Sequence, residues 1–260
     1  MGRGPTALTE RHGIAAALGT EVALETVGPP SDPALADIGR SFELVREIAE
    51  RVRAARAARR LPVVLAGNCN SCLGTVAGLA PAEVGVVWFD AHADFDTPED
   101  NASGFLDVMA LSTLTGRCWE KLRRSISGFR EVPEEDVVMV GVRDLEPYQR
   151  DSLDRSSVIV VREAGSLEPA LDDLRARRDA IYLHVDLDVL DPSEGRANQY
   201  AAPGGLSLEE LEAAIAAVGS RFTVEAAAIT AYDPACDEDG RVARAAVRVA
   251  QAIAAAVARV

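Results

Sequence analysis

At 260 residues the chain suits one large domain with capacity for a buried core. A net charge of −14 and a pI near 4.7 argue against nucleic acid and anionic membrane surfaces as partners. No apolar run approaches the ~20 residues of a bilayer span, no secretory leader is visible, and four irregularly placed cysteines fit a reducing cytoplasm.

Met1 to Leu18 opens with a glycine-rich turn and a helical pattern, and Glu21 to Val27 reads as a strand. Pro29 to Pro33 is a loop in which Ser31-Asp32-Pro33 can begin the next helix. Asp37 to Arg60 is a long amphipathic helix whose Arg-rich end complements the helix dipole. Strands are predicted at Pro62–Gly67, Val84–Phe89, Val137–Val142, Ser157–Val161, Ile181–Asp186 and Thr223–Ala231. Helices are predicted near Ser71–Leu79, Phe105–Leu114, Pro147–Leu153, Leu167–Arg177, Ser207–Val218 and Arg241–Val260. This alternation implies an α/β protein, a parallel sheet with helices on both faces. No repeat, low-complexity block or second domain interrupts it, so residues 1–260 form a single domain.

The chemistry concentrates at two strand ends. Val84 to Asp96 reads VGVVWFDAHADFD, an apolar run followed by Asp90, His92, Asp94 and Asp96 at alternate positions. On an extended chain those side chains point the same way. Like charges at a buried strand end are costly unless a divalent ion neutralises them, and this mixture of oxygen and imidazole suits manganese best, with iron, nickel, cobalt or zinc as alternatives. A polar strand end facing water is the plainer explanation. Ile181 to Pro192 repeats the pattern as IYLHVDLDVLDP, ending in Asp186 and Asp188. Two such ends converging at one edge of a parallel sheet supply more ligands than one ion needs, so two bridged ions are the economical reading.

DAHAD followed downstream by HVDLDVLDP closely resembles the arginase and agmatinase superfamily, the dimanganese ureohydrolases. Gly4-Pro5 to Leu8 is similar to the family's GP-x-x-L, Ala66 to Ser71 stands at its GGDHS, and Gly141 to Asp144 at its GLRD. The resemblance implies a three-layer α/β/α sandwich with a mainly parallel sheet and two Mn²⁺ ions. Its reaction is hydrolysis of a guanidine or amidine C–N bond by a metal-bridging hydroxide, and its assembly a homo-oligomer, trimeric or hexameric. The implied metal ligands are Cys69, Asp90, His92, Asp94, Asp186 and Asp188. Asp90 and Asp186 would bridge, Cys69 and Asp94 would complete one ion's shell, and His92 and Asp188 the other's. The family normally has a strand before its GP-x-x-L helix, where this chain has Met1 to Arg3. Either the sheet is one strand short or the start lies upstream.

Several positions depart from the family pattern. Cys69 stands where GGDHS has its histidine; a thiolate ligates divalent ions but is softer than manganese prefers. Cysteine there is associated with a branch handling hydroxylated guanidines. An inert buried cysteine is the alternative, as is a redox pair with Cys72, a weak signal on its own. Asp107 replaces a histidine of the following loop and would move protons alongside Asp94 if its pKa were raised, although a helix N-terminal acid is nearly as good an explanation. Asp96, Asn101, Ser103 and Glu146 are the implied substrate contacts. Asp96 replaces an asparagine that meets a carboxylate, and Glu146 resembles an amine-binding acid. Ala231 stands where the family has a guanidinium-gripping glutamate, with Asp233 or Asp107 as substitutes. Losing that acid removes a charge-assisted bond of ~1.5–3 kcal/mol. The reading is therefore a ureohydrolase-type hydrolase of a small cationic guanidine other than ordinary arginase. A non-hydrolytic metal-binding paralogue with an assembly or regulatory role is its rival.

Overall fold

The computed structural model describes residues 1–19, 21–28, 35–162 and 166–258. Six strands form one sheet: β1 (Val63–Leu65), β2 (Gly85–Phe89), β3 (Val137–Val140), β4 (Ile159–Val161), β5 (Ala180–Asp186) and β6 (Thr223–Thr230). They lie in the order β1-β6-β5-β2-β3-β4, and every pairing is parallel. Starting from β2 the chain builds outward through β3 and β4, then returns to add β5 and β6 on the other side. The β2–β5 boundary is thus the switch point, where α/β sheets open a crevice at the carboxyl ends of their strands.

Residues alternate across the central strands, with one irregularity in the β5–β6 pairing at Ile181/Tyr182. Val87, Phe89, Leu183 and Val185 enter one apolar core with α1 (Gly4–Glu10), α2 (Ile14–Leu18), α8 (Leu167–Arg175), α9 (Leu208–Gly219) and α10 (Arg241–Val257). Val86, Trp88, Tyr182, Ala226 and Ala228 enter the other core with α3 (Asp37–Ala57), α4 (Ser71–Gly78) and α5 (Ala110–Leu114). Two short helices, α6 (Glu120–Arg123) and α7 (Pro147–Asp154), complete the chain. Buried on both faces, the central strands read as continuous apolar runs, as parallel strands do.

Two expectations need correction. Glu21 to Val27 is not a strand: it runs unpaired over the surface with most of its residues exposed, so its alternation records no sheet face. The helix expected over Phe105–Leu114 begins at Asp107 with a tight turn of 3₁₀ helix. The loop expected over Pro29 to Pro33 lies outside the described residues. No helix among the described residues is long and apolar enough to cross a membrane.

The α3–α4 contact positions the loop before α4, and it depends on small residues. A Cβ on Gly74 would stand 2.3 Å from the Val45 carbonyl oxygen and 2.8 Å from Ile48 Cβ. Overpacking against backbone of this kind costs about 1–3 kcal/mol. Gly74→Ala is expected to lower unfolding stability by that amount in denaturant titration, and an unchanged midpoint would show that α3 and α4 separate freely.

Candidate metal centre

Strand parity decides which residues meet. Asp90 ends β2 on the face of Val86 and Trp88, and Asp186 ends β5 on the face of Tyr182 and His184. Thr230 closes β6 on that same face, against which the N-terminus of α4 brings Cys69. The thiol donates to Asp186 Oδ2 at 3.0 Å and lies 3.4 Å from Thr230 Oγ1. Asp107 accepts from the Cys69 backbone N–H at 2.7 Å, which ties the following loop to the helix start. Just beyond β5, a single turn of 3₁₀ helix (Leu187–Val189) swings Asp188 round to His92.

The structure therefore gathers Cys69, Asp90, His92, Asp94, Asp107, Asp186 and Asp188 at one edge. Donor atoms of Asp90, His92 and Asp188 lie within 4.8 Å of one another, as do those of Cys69, Asp94 and Asp107. His92 Nδ1 is 3.4 Å from both Asp90 Oδ1 and Asp188 Oδ2, while its Nε2 is 3.6 Å from Asp144 at the rim. The acidic stripe is not one extended row, however. Asp94 adopts a left-handed backbone at φ 49°, which an aspartate tolerates better than most residues. The chain turns there, and Asp96 points elsewhere.

Electrostatics show how crowded with acid this cluster is. Burial, then the neighbouring carboxylates, push Asp94 and Asp186 well above the usual carboxylate range, and Asp90 is raised by the same burial. Burial raises the Cys69 thiol too, and Asp186 adds to it. Asp107 rises to about 7, because its desolvation outweighs the Cys69 N–H it accepts. Burial alone would lower His92, yet its bonds to Asp188 and Asp90 prevail and raise it; Asp188 is held low by the same contact despite its own burial. Asp94 Oδ2 is buried without a hydrogen-bond partner. An orphaned oxygen inside a thiol, imidazole and carboxylate set fits a divalent metal, whose charge would remove both penalties.

Four groups outside the motifs' ligand positions hold this set in place. Trp88 Nε1–H donates to Asp90 Oδ2 at 2.9 Å. Asn198 Nδ2 donates to Asp188 Oδ2 at 2.9 Å and to the Ala231 carbonyl at 3.0 Å. Arg143 donates to the carbonyls of Gly141, Asp188, Val189 and Ala202, fixing the loop that carries Asp188. The fourth is His184, 0% exposed and stacked on Trp88 with ring centroids 3.6 Å apart. Sequence reading missed Asn198 and His184. The signal for His184 was its even position on β5, which puts it beneath Asp186.

The implied substrate contacts are placed differently. Asp96 is 2% exposed, and its oxygens accept from Gln149 Nε2, Asn101 Nδ2 and Tyr148 O–H, each at 2.9 Å. Asn101 Oδ1 in turn accepts from Ser103 at 2.6 Å. Asp96, Asn101 and Ser103 brace a loop, which corrects the reading of Asp96 as a group facing substrate. Glu146 caps the N-terminus of α7 in a reciprocal arrangement with Gln149. Asp233 binds the N-terminal amine and the Ala235 N–H, so it does not replace the missing glutamate. The redox reading of Cys69 and Cys72 also fails: both thiols are free, buried and raised by desolvation, unlike reactive cysteines, which are exposed and held low.

A parallel α/β/α sandwich with buried carboxylates at its switch point defines an α/β protein whose sheet edge carries candidate metal ligands. The Arginase family profile matches residues 3–256, and the chain belongs to that family. The arginase of Bacillus caldovelox is 30% identical over 199 residues, 72% of this chain and 66% of that protein. The arginase of Bacillus subtilis is 28% identical over 217 residues, 80% of this chain and 73% of that one. The crystal structure of Bacillus subtilis arginase superposes with a TM-score of 0.86 at 25% identity, covering 96% of this chain and 91% of its own. A hypothetical agmatinase from Burkholderia thailandensis shares the fold at a TM-score of 0.64 and 21% identity, over 85% of this chain and 67% of its own.

A pH dependence follows for the metal-free protein. Asp107 is raised from 3.8 to about 7, and Asp94 and Asp186 move the same way, so between those values the native state holds more protons than the unfolded chain. Stability must then fall as pH rises through that window. His92, also raised, adds a loss above its ordinary value of 6.5. Melting temperature of chelated protein should therefore decline from pH 5 to pH 8, flattening when divalent metal is added. A chelated melting curve independent of pH would contradict the charge crowding.

Proposed function

We propose that this protein is a ureohydrolase-type metallohydrolase that cleaves the C–N bond of a small guanidine. The observation that carries this reading is the convergence of the strand-end carboxylates with Cys69, His92 and Asp107 in a chain of the arginase family. Cys69, Asp90, Asp94 and Asp186 would hold one Mn²⁺ or similar ion, and Asp90, His92, Asp186 and Asp188 the second. Bound metal supplies Lewis acidity and a water that loses its proton near neutral pH.

The chain's own groups do the rest. Asp107 faces Cys69 and Asp94 at the inner end, a carboxyl placed within reach of the proposed metal ligands, where it could accept and return a proton. It would carry the proton from the attacking water to the departing amine. The rim sets which guanidine enters. His92 is partly exposed there, Asp144 stands beside it, and Tyr200 meets it edge-on with ring centroids 6.4 Å apart. Phe105 lies 5.9 Å from Tyr200, and both rings are open to solvent. The nearby Arg143 is already occupied by carbonyls. Acid and aromatic surface favour a cationic or neutral distal end over the carboxylate of an amino acid. Ala231 offers the guanidine no acid, which lowers the advantage of a fully charged guanidinium. The substrate class is therefore a decarboxylated or N-hydroxylated guanidine rather than free L-arginine. Ala231 also favours the rival reading, a metal-binding paralogue without turnover. Metal analysis of purified protein, followed by urea release across a guanidine panel, separates the two: bound metal with no product from any guanidine would leave only the paralogue.

Two variants sharpen the assignment. Asp186→Ala should lose both metal equivalents, because its carboxylate serves both positions, and retention of two would remove the dinuclear arrangement. Asp107→Asn should keep its metal while kcat drops on the order of 10²–10⁴-fold, the usual range for a proton-transfer group. In the panel, N-hydroxy-L-arginine or agmatine should exceed L-arginine in kcat/KM by at least an order of magnitude, about 1.4 kcal/mol in barrier. Parity with L-arginine would show that the rim reads a carboxylate after all.

A further inference from the structure

The amino ends of the strands, on the opposite side of the sheet from the carboxylates, hold a cavity that the hydrolytic reading leaves unused. It measures about 150 Å³, room for roughly five waters at ~30 Å³ each. Its floor is apolar. Val84 leads into β2, Val76 lies in α4 and Val132 precedes β3, and all three are buried. Glu83 and Arg130 stand at its mouth, both more than half exposed.

The wall carries charges of both signs that only partly satisfy one another. Arg178 passes over the start of β2 and places its Nη2 2.8 Å from the buried carboxylate of Asp136, which fixes the guanidinium. Its Nη1 is 3.4 Å from one oxygen of Glu83, and Arg130 Nη1 is 3.6 Å from the other. Both separations exceed the about 2.7–3.2 Å of a good hydrogen bond, so Glu83 is loosely paired with each arginine. The Nε–H of Arg178 is buried with no acceptor among the described residues. Glu131 is held through Oε1 by Arg123, a side chain in the interior at 5% exposure whose own Nε–H also lacks an acceptor. Buried donors of this kind cost stability until an acceptor reaches them.

An apolar floor below two acids and two arginines discriminates by charge. A simple anion would meet Glu83 and Glu131, and a simple cation would meet Arg130 and Arg178, each at a like-charge cost. A molecule bearing both charges on adjacent atoms, with a short alkyl chain, meets neither penalty. We propose that this cavity binds a small aliphatic α-amino acid. Its carboxylate accepts from Arg178 Nε–H and pairs with Arg130, its ammonium lies against Glu83 and Glu131, and its side chain rests on the three valines. No residue of this cavity belongs to the candidate metal centre. The ligand lies against the start of β2 and one side of α4, elements whose far ends lead to Asp90 and Cys69.

The inference is independent of metal and of turnover, and calorimetric titration of the full-length protein tests it. The probes are L-leucine, 4-methylpentanoate and 3-methylbutylamine, the last two carrying leucine's alkyl group with only one of its charges. L-Leucine should bind at one equivalent with a millimolar or tighter Kd, and each single-charge probe at least ten-fold more weakly. The affinity should be the same in metal-loaded and chelator-treated protein. Arg178→Gln removes the carboxylate's partner, and Ala82→Leu fills the cavity from its wall while leaving every charge in place. Each should weaken L-leucine at least ten-fold, with melting curves to confirm folding. Because Arg178 also pairs with Asp136, Ala82→Leu keeps the test decisive if Arg178→Gln does not fold. No heat with L-leucine, parental affinity in folded Ala82→Leu, or 4-methylpentanoate binding as tightly as L-leucine would each overturn the proposal. Binding that vanishes on chelation would overturn it too, because it would put the amino acid at the metal centre.

Discussion

Burial of several acids at one end of a parallel sheet is the constraint on which the rest of the structure depends. At separations near 4.8 Å two carboxylates repel by roughly 3–4 kcal/mol even at an effective dielectric constant of ~20. A typical hydrogen bond returns about 1 kcal/mol. Donors such as the Trp88 indole and the Asn198 amide therefore orient the acids without neutralising them. His92 is the one cationic group among the clustered donors, and it lies against Asp90 and Asp188 only. On the inner side, around Cys69, Asp94 and Asp107, no side-chain cation appears among the described contacts, and the pKa values of these groups rise instead. The inner half is where acid stands with the least cationic compensation.

The topology makes that concentration unavoidable. A sheet built outward in both directions from the β2–β5 boundary leaves its crevice there, and the strands on either side both end in aspartate. Because β2 and β5 are parallel and in register through Phe89 and Val185, Asp90 and Asp186 are neighbours by construction. The ligands that come from loops need more fixing, which is why Arg143 donates to a ring of carbonyls and why Asp94 is held in a left-handed turn with its carbonyl accepting from Leu111 and Ser112. Those contacts stabilise the loops whether or not metal is present. The protein's own groups thus fix these loops, and an ion bound there would have little chain to order.

Much of this was legible in the sequence, for reasons that also explain the failures. Period two locates Asp90 and Asp186 because Asp186 ends β5 and Asp90 follows β2 directly. The same rule misplaces Asp96, since the left-handed residue at Asp94 breaks the alternation before it. Glu146 and Asn101 are implied as substrate contacts by their position near a site motif, and in the fold they also serve as a helix cap and a loop brace. Glu21 to Val27 reads like a strand, but it joins no strand of the sheet and lies as an exposed surface segment. Asn198 lies in a loop with no periodicity and could not be connected to Asp188 until the two met in space.

Cys69 is placed by what surrounds it. Its thiol donates to Asp186 and its backbone N–H to Asp107, so the loop before α4 is tied at once to the end of β5 and to the loop that follows β2. The aromatic layer beneath fixes the acids from the other side. Trp88 stacks on His184 and gives its N–H to Asp90, while the Thr230 hydroxyl donates to Asp186 and lies 3.2 Å from His184 Nε2. Burial keeps that imidazole neutral, so it orders the layer without adding charge to it. The strands and the helix start therefore hold the inner acids in place from two directions, and the freedom that remains lies at the rim, around His92 and Tyr200.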